Sequence, residues 1–478
     1  MGGSATGGTE RTGAGPPRLR GGVPLLGLLP ALGRDPLGVF ERARALGDVV
    51  RLPVPWRHPI FVLTDPAAVR QALQENHANY RRTPFHDKLK AVMGEGLVTS
   101  EGALWRRQRR LLQPAFRAER IRRFVGTMAA VSVGLAERWE AAAGSGRVLD
   151  VSREMSDLTL DIAVRCMFGS EQRGGDAAIG AAVQEVQHWL SGRFWSLAPA
   201  WTERLPTPAN RRFRRALAGL DAAVGRIVAR RLAAGEAGDD LLGMLLAAED
   251  EGAGVDARQV RDEVMTMLLA GHETSAAALT WTWHLLARHP EAAEAVRGEA
   301  ARVLGGRAAP EARDLGRLEA TGAVLQEAMR LYPPVPWFGR LAAAPDRIGG
   351  HAIPAGSLLA LSPWLVQRDP RLWPEPERFD PARFAPGAPR PAPYAWFPFG
   401  GGPRTCLGNH FATTEMLVAL AVLAPRFHLR HAADAPVRPE LLVTLRRAGA
   451  LPMRIERPSR AAGTGGRHRR SRVRKVTE

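Results

Sequence analysis

One stretch constrains this chain more than any other: Phe397-Pro398-Phe399-Gly400-Gly401-Gly402-Pro403-Arg404-Thr405-Cys406-Leu407-Gly408. Three consecutive glycines can adopt backbone conformations closed to other residues, and they let a loop pass very close to a flat neighbour. The run Cys406–Ala424 that follows has helical spacing of apolar residues. A cysteine opening a helix is biased towards thiolate, because the peptide dipoles there stabilise negative charge. The fold must therefore carry an irregular loop that delivers one polarised sulfur at the head of a buried helix.

A thiolate that pushes electrons onto haem iron favours O–O cleavage. Gly408 would leave room for a porphyrin above the first helical turn, and Arg404 offers a guanidinium fork to a propionate. Two plainer readings compete. Cys406 could be a simple loop cysteine beside a flexible glycine run, or it could share a metal with His410, one turn on. The chain holds two cysteines, Cys166 and Cys406. No cysteine remains for a metal set, no histidine cluster follows, and no C-x-x-C-H motif is present for covalent haem. Cys166 lies in the apolar run Ile162–Phe168 and reads as a buried free thiol.

With 478 residues, 45% of them hydrophobic, the chain can bury a large core. Its net charge of +18 is uneven: residues 457–478 carry eight basic residues against one acid. Such a tail reads as solvated and disordered. No nucleic-acid-binding signature accompanies it, so nucleic acid is not expected as a partner. Residues 1–20 read as a disordered start without a signal-peptide core, and no stretch of 18 apolar residues occurs. The expectation is a cytoplasmic protein without membrane insertion, built as one domain over residues 21–456.

Helical periodicity predicts helices over Ala67–Gln74, Ala103–Leu112, Ala118–Ala143, Ser152–Phe168, Asp176–Ser191, Ala209–Ala234, Ala257–Arg288, Pro290–Leu304 and Leu315–Leu331. Short strands are expected at 48–53 and 59–64, and again beyond Pro333, among proline and glycine turns. The protein is thus mainly α with a small β region.

The helix 257–288 contains Ala270-Gly271-His272-Glu273-Thr274-Ser275. A mid-helix glycine costs about 1 kcal/mol relative to alanine, and hydroxyl side chains bond back to the i−4 carbonyl and bend a helix. A weakened turn bearing an acid and an alcohol suits oxygen activation. Gly271 opens space for O2, Thr274 can donate to bound oxygen, and Glu273 can relay protons. An ordinary helix with an exposed glutamate is the plain alternative. Glu327 and Arg330 stand at i, i+3 among apolar residues, and Arg378 could complete a buried pair. Trp105 and Arg109 stand one turn apart and can reach a single acidic group.

The run Phe399-x-x-Gly402-x-Arg404-x-Cys406-x-Gly408 resembles the haem-binding loop of the cytochrome P450 family. The run Gly271 to Ser275 resembles the family's oxygen-binding helix motif and lies in the family's order, with Thr274 132 residues before Cys406. Glu327-x-x-Arg330 and Trp105-x-x-x-Arg109 resemble two further family helices. The resemblance covers roughly residues 20–456. It implies the triangular-prism haem fold and haem b (iron protoporphyrin IX), with Cys406 as the iron's axial ligand. Trp105, Arg109, Arg340 and Arg404 become propionate contacts, and Phe399 and Gly408 part of the haem-binding loop. Glu327, Arg330 and Arg378 become a structural brace. The implied activity inserts oxygen into a hydrophobic molecule of secondary metabolism, such as a terpenoid, fatty acid or polyketide. No dinucleotide or flavin motif occurs, so electrons are expected from NAD(P)H through a reductase and an acidic ferredoxin or flavodoxin. That partner would dock near Arg106, Arg107 and Arg110. A haem-thiolate isomerase or peroxygenase remains a rival, as does a haem sensor without turnover.

Overall fold

The computed structural model describes residues 15–55, 58–169, 176–194, 200–234, 238, 240–247, 256–434 and 436–458. Helices dominate. The longest, Ala257–Arg288, is capped by Asp256, whose carboxylate accepts from the Gln259 N–H. It is buried along most of its length, because apolar residues occupy nearly all its faces rather than one stripe. Around it pack Val151–Phe168, Asp176–Phe194, Pro208–Ala234, Glu319–Leu331 and Asn409–Leu423. No helix among the described residues is long and apolar enough to cross a membrane.

The main sheet has five strands: β1 (Val49–Leu52), β2 (Ile60–Leu63), β3 (Tyr80–Arg81), β4 (Phe338–Ala342) and β5 (Leu358–Leu361). Their spatial order is β1-β2-β5-β4-β3, with only β2 and β5 parallel. The pairing Tyr80↔Ala342 and Arg81↔Leu341 has a functional consequence. It brings Arg82, the next residue of one strand, beside Arg340 of the other.

Several expected elements are corrected. The span 118–143 is not one helix: it breaks at a 3-10 turn over Arg122–Phe124, between Ala118–Ile121 and Val125–Ala143. The helix ending at Leu331 starts at Glu319, after a separate 3-10 turn, Ala312–Arg317, closed by a reciprocal Glu311–Asp314 capping box. The helix expected from Cys406 starts at Asn409. Phe85–Met93 and Leu241–Leu246 are further helices, of nine and six residues, that the periodicity did not predict. The basic tail lies outside the described residues from 459 onward.

Candidate active site

The glycine loop is shaped mainly by its own protein neighbours. Gly402 has φ +65°, and a Cβ there would stand 1.8 Å from the Leu73 carbonyl oxygen. A Cβ on Gly401 would stand 2.3 Å from the Tyr394 ring. The close approach expected of these glycines is thus used first to lay the loop on the chain beneath it. The Cys406 N–H donates to the Phe399 carbonyl (2.9 Å), closing the loop so that Phe399 and Cys406 face one cavity. The sulfur is exposed to that cavity. The protein packed around it pushes the thiol pKa up, while the Gly408 N–H and the Arg109 guanidinium pull it down. Since the helix begins three residues later than expected, these two groups, more than a helix terminus, favour the thiolate.

The cavity offers about 380 Å³ to the centre of a water molecule, and its wall is mostly apolar. Leu269 and Ala270 form part of one side, with Val335, Phe338, Met93 and Leu190 around it. At one end stand Arg82, His86, Arg340 and Arg404. Glu101 is the one carboxylate among the described residues that acts on these guanidiniums. It pairs with Arg404 at 2.8 Å and with Arg82 at 3.9 Å. Three guanidiniums against one carboxylate is an unbalanced cluster. Burial and mutual repulsion lower Arg82 well below its ordinary value, take Arg340 down to about 10 and hold His86 down at about 3. Arg82 Nε is buried without a hydrogen-bond partner.

Arg404 lies over the Trp105 ring, 4.2 Å from its centroid. Arg109 donates to the Thr405 carbonyl (2.9 Å), next to Cys406. Trp105 and Arg109 thus support the cluster and the cysteine loop rather than line the cavity. Arg82 and His86 were not foreseen. The only sequence signal was two arginines leaving a short strand, and Arg340 and Arg404, which complete the cluster, are more than 250 residues away.

The oxygen-side turn lies in the cavity wall. Thr274 Oγ1 donates to the Ala270 carbonyl (2.9 Å), the back-bond expected of a mid-helix threonine. A Cβ on Gly271 would meet nothing within 4 Å. Glu273 is buried and lines the cavity. Thr444 Oγ1 donates to its carboxylate at 2.5 Å, and Arg446, 38% exposed, pairs with it at 2.7 Å. Arg446 therefore links the buried acid to the surface.

Behind the cysteine loop, Arg330 forks onto both oxygens of Glu327 at 2.7 and 2.8 Å, and both side chains are fully buried. The remaining Arg330 N–H groups donate to the carbonyls of Gln367, Pro376 and Arg378. The Arg378 side chain itself points to solvent and pairs with Glu375. The second cation on Glu327 is Arg383, at 3.6 Å. The pattern Pro-x-Arg-Phe occurs twice, at 376–379 and 381–384. Sequence spacing pointed to the first copy, whereas the fold buries the guanidinium of the second.

Of the large apolar residues near the substrate end, Met93 lines the cavity. Trp189 instead stacks on Phe213 (3.9 Å between centroids) and bonds to Asn210.

The residues present fit a flat, apolar group carrying carboxylates at one edge. The cavity is flanked by a thiol, its other walls are apolar, and the unbalanced arginines supply the missing counter-charge for acids. Haem b has that form. Residues 16–450 match the family model described as Cytochrome P450. The chain is 38% identical to cyclooctatin synthase of Streptomyces melanosporofaciens, over 91% of this chain and 94% of that one. It is 37% identical to the cyclooctat-9-en-7-ol 5-monooxygenase of the same organism, over 86% and 88%. Pentalenene oxygenase of Streptomyces avermitilis is 33% identical, over 91% and 96%. Among solved structures, the haem domain of cytochrome P450DA superposes with a TM-score of 0.84 at 28% identity, covering 93% of this chain and 98% of that one. The cysteine loop, the acid–alcohol turn and these likenesses converge: the chain belongs to the cytochrome P450 family, haem-dependent monooxygenases that draw their electrons from external redox partners.

Proposed function

We propose that this chain oxidises a terpenoid-sized, largely hydrocarbon molecule, and that Cys406 would supply the thiolate that holds its haem iron. The observation that carries the reading is the arrangement of one cavity. Cys406 faces it, under-compensated arginines stand at one end, and Glu273 and Thr274 lie in its wall. Arg82, Arg340 and Arg404 would hold the propionates, with Trp105 and Arg109 steadying Arg404 and the cysteine loop. The haem, when bound, supplies oxygen activation at its iron. The rest is the work of side chains. The apolar wall binds a hydrocarbon and excludes water. Thr274, anchored through Ala270, presents its hydroxyl to the cavity. Glu273 accepts protons from solvent along Arg446 and passes them to Thr274. This intact acid–alcohol pair supports a monooxygenase over an isomerase or a peroxygenase. The names of the relatives support a terpenoid substrate, since their chains are covered almost from end to end.

Residues 21–456 form the haem domain. An acidic ferredoxin or flavodoxin docks on the helix Gly102–Leu112, in the cytoplasm. Arg109 fixes that helix to the Cys406 loop, and Arg106 and Arg110 are exposed on it. The first test is the carbon-monoxide difference spectrum of the reduced protein beside Cys406→Ser. The expected result is a strongly red-shifted Soret band that the variant lacks. A band typical of histidine ligation, or folded protein without haem, would sink the proposal.

A further inference from the structure

The polar side chains in the cavity wall are unequally employed. Glu273 and Thr444 bond to each other, Thr274 bonds to Ala270, Thr83 bonds to His86, and the Ser275 hydroxyl acts on the buried Glu415. Gln187 differs. It lies on the helix Asp176–Phe194, lines the cavity and is 5% exposed. Its amide makes one hydrogen bond among the described residues, to His272 Nδ1 at 3.4 Å. An amide can accept two bonds and donate two, so most of its capacity is unused.

His272 fixes one end of that amide whichever way the amide is turned. Nδ1 also lies 3.3 Å from the Leu268 carbonyl. If Nδ1 carries the proton, it serves the Gln187 oxygen and the NH2 faces the cavity. If Nδ1 is the acceptor, the NH2 serves it and the carbonyl oxygen faces the cavity. A hydroxyl, being both donor and acceptor, satisfies either orientation. Gln187 lines the same cavity as Ala270, Glu273 and Thr274 of that turn.

We infer that Gln187 is a specificity residue that selects a substrate already bearing a hydroxyl, so that this oxidation acts on an alcohol made by an earlier step. That earlier step is either a hydroxylation or a cyclisation that ends by capturing water. The reaction here then places one atom of O2 in a C–H bond of that alcohol. The other leaves as water, with two electrons from the redox partner and two protons from solvent. The inference rests on the monooxygenase reading above and adds the chemistry of the substrate. A pocket built to bond a hydroxyl discriminates strongly against the analogue without one, because its polar group is left unpaired.

The test is an optical titration of the haem-loaded protein, following the Soret shift. The ligands are the tricyclic sesquiterpene alcohol cedrol and its parent hydrocarbon cedrane. Hydrophobic burial alone favours the hydrocarbon, so a preference for the alcohol reads the amide. The wild type is expected to bind cedrol at least about tenfold tighter. In Gln187→Met the alcohol should weaken about tenfold while cedrane holds or tightens. Equal binding in the wild type, or a preference that persists in the variant, overturns the inference and leaves the monooxygenase reading intact. The wild-type comparison decides even where the variant loads no haem. No shift with either ligand, in protein showing the thiolate carbon-monoxide band, overturns the inference together with the terpenoid reading. Loss of that band in the wild type would instead sink the haem assignment.

Discussion

Two buried arginine clusters lie on either side of the cysteine loop, and they are built on opposite terms. At the brace, Arg330 is fully buried and satisfied by protein alone. Both Glu327 oxygens and three carbonyls take its donors, while Arg383 and the Asp380 N–H complete the carboxylate. At the cavity, Arg82, Arg340 and Arg404 share one carboxylate, Glu101. A buried charge that the protein satisfies itself is architecture. A buried charge that it leaves unsatisfied is a place for something else. The difference separates a residue that holds the loop from one that holds a ligand, although both are arginines buried within one fold.

The comparison can be broken most decisively at the brace. Glu327→Gln leaves Arg330 buried without its counter-charge, and the expected loss is about 3–5 kcal/mol. Thermal unfolding of the haem-loaded protein measures it. The same experiment separates the two Pro-x-Arg-Phe copies. Arg383→Ala should cost about 1 kcal/mol, and Arg378→Ala, whose side chain is in solvent, should stay within about 0.5 kcal/mol. If the order is reversed, the assignment of the brace is wrong.

The cavity cluster should respond with the opposite sign. Arg82→Gln relieves repulsion among guanidiniums, so the haem-free chain should be as stable as the wild type or slightly more so. The haem should nonetheless leave about tenfold faster, as followed by transfer to a scavenging apoprotein. A variant destabilised in the haem-free state, with unchanged haem loss, would make this cluster a second brace.

A further test concerns pH. His86 is held neutral at about 3, against an ordinary value near 6.5. Between those values the unfolded chain binds the proton and the folded chain does not. Stability of the haem-free protein should therefore fall as pH drops from about 6.5 towards about 3. His86→Gln should flatten that part of the profile, and an unchanged slope would remove His86 from the cluster. Bound propionates would favour the charged imidazole, so the effect should shrink in the haem-loaded protein.

Much of this molecule is written locally. The helix Ala257–Arg288 occupies the span its periodicity predicts, with its aspartate cap and its threonine back-bond in place. The cysteine loop could be recognised because its glycines, arginine and thiol stand within a few residues of one another. Short-range order of this kind depends on dihedral preference, capping and periodicity, all of which act between neighbours. The helix boundary near Cys406 was less legible. A loop closed by the Phe399 carbonyl competes with the helix for the same residues, and tertiary contact at Leu73 decides the outcome.

Charge balance lay beyond the sequence. Nothing near position 273 announces that Thr444 and Arg446 will hold Glu273, and nothing near Arg82 announces Arg340 or Arg404. Two identical Pro-x-Arg-Phe patterns stand five residues apart, and only the packing against Glu327 chooses between them. The sequence by itself determined the family, the helical framework and the thiol that faces the cavity. The tertiary structure decided which buried charges are paid in full by the protein and which await a ligand. Compensation acts through space between segments hundreds of residues apart, and it depends on who is left without a partner once the chain has closed.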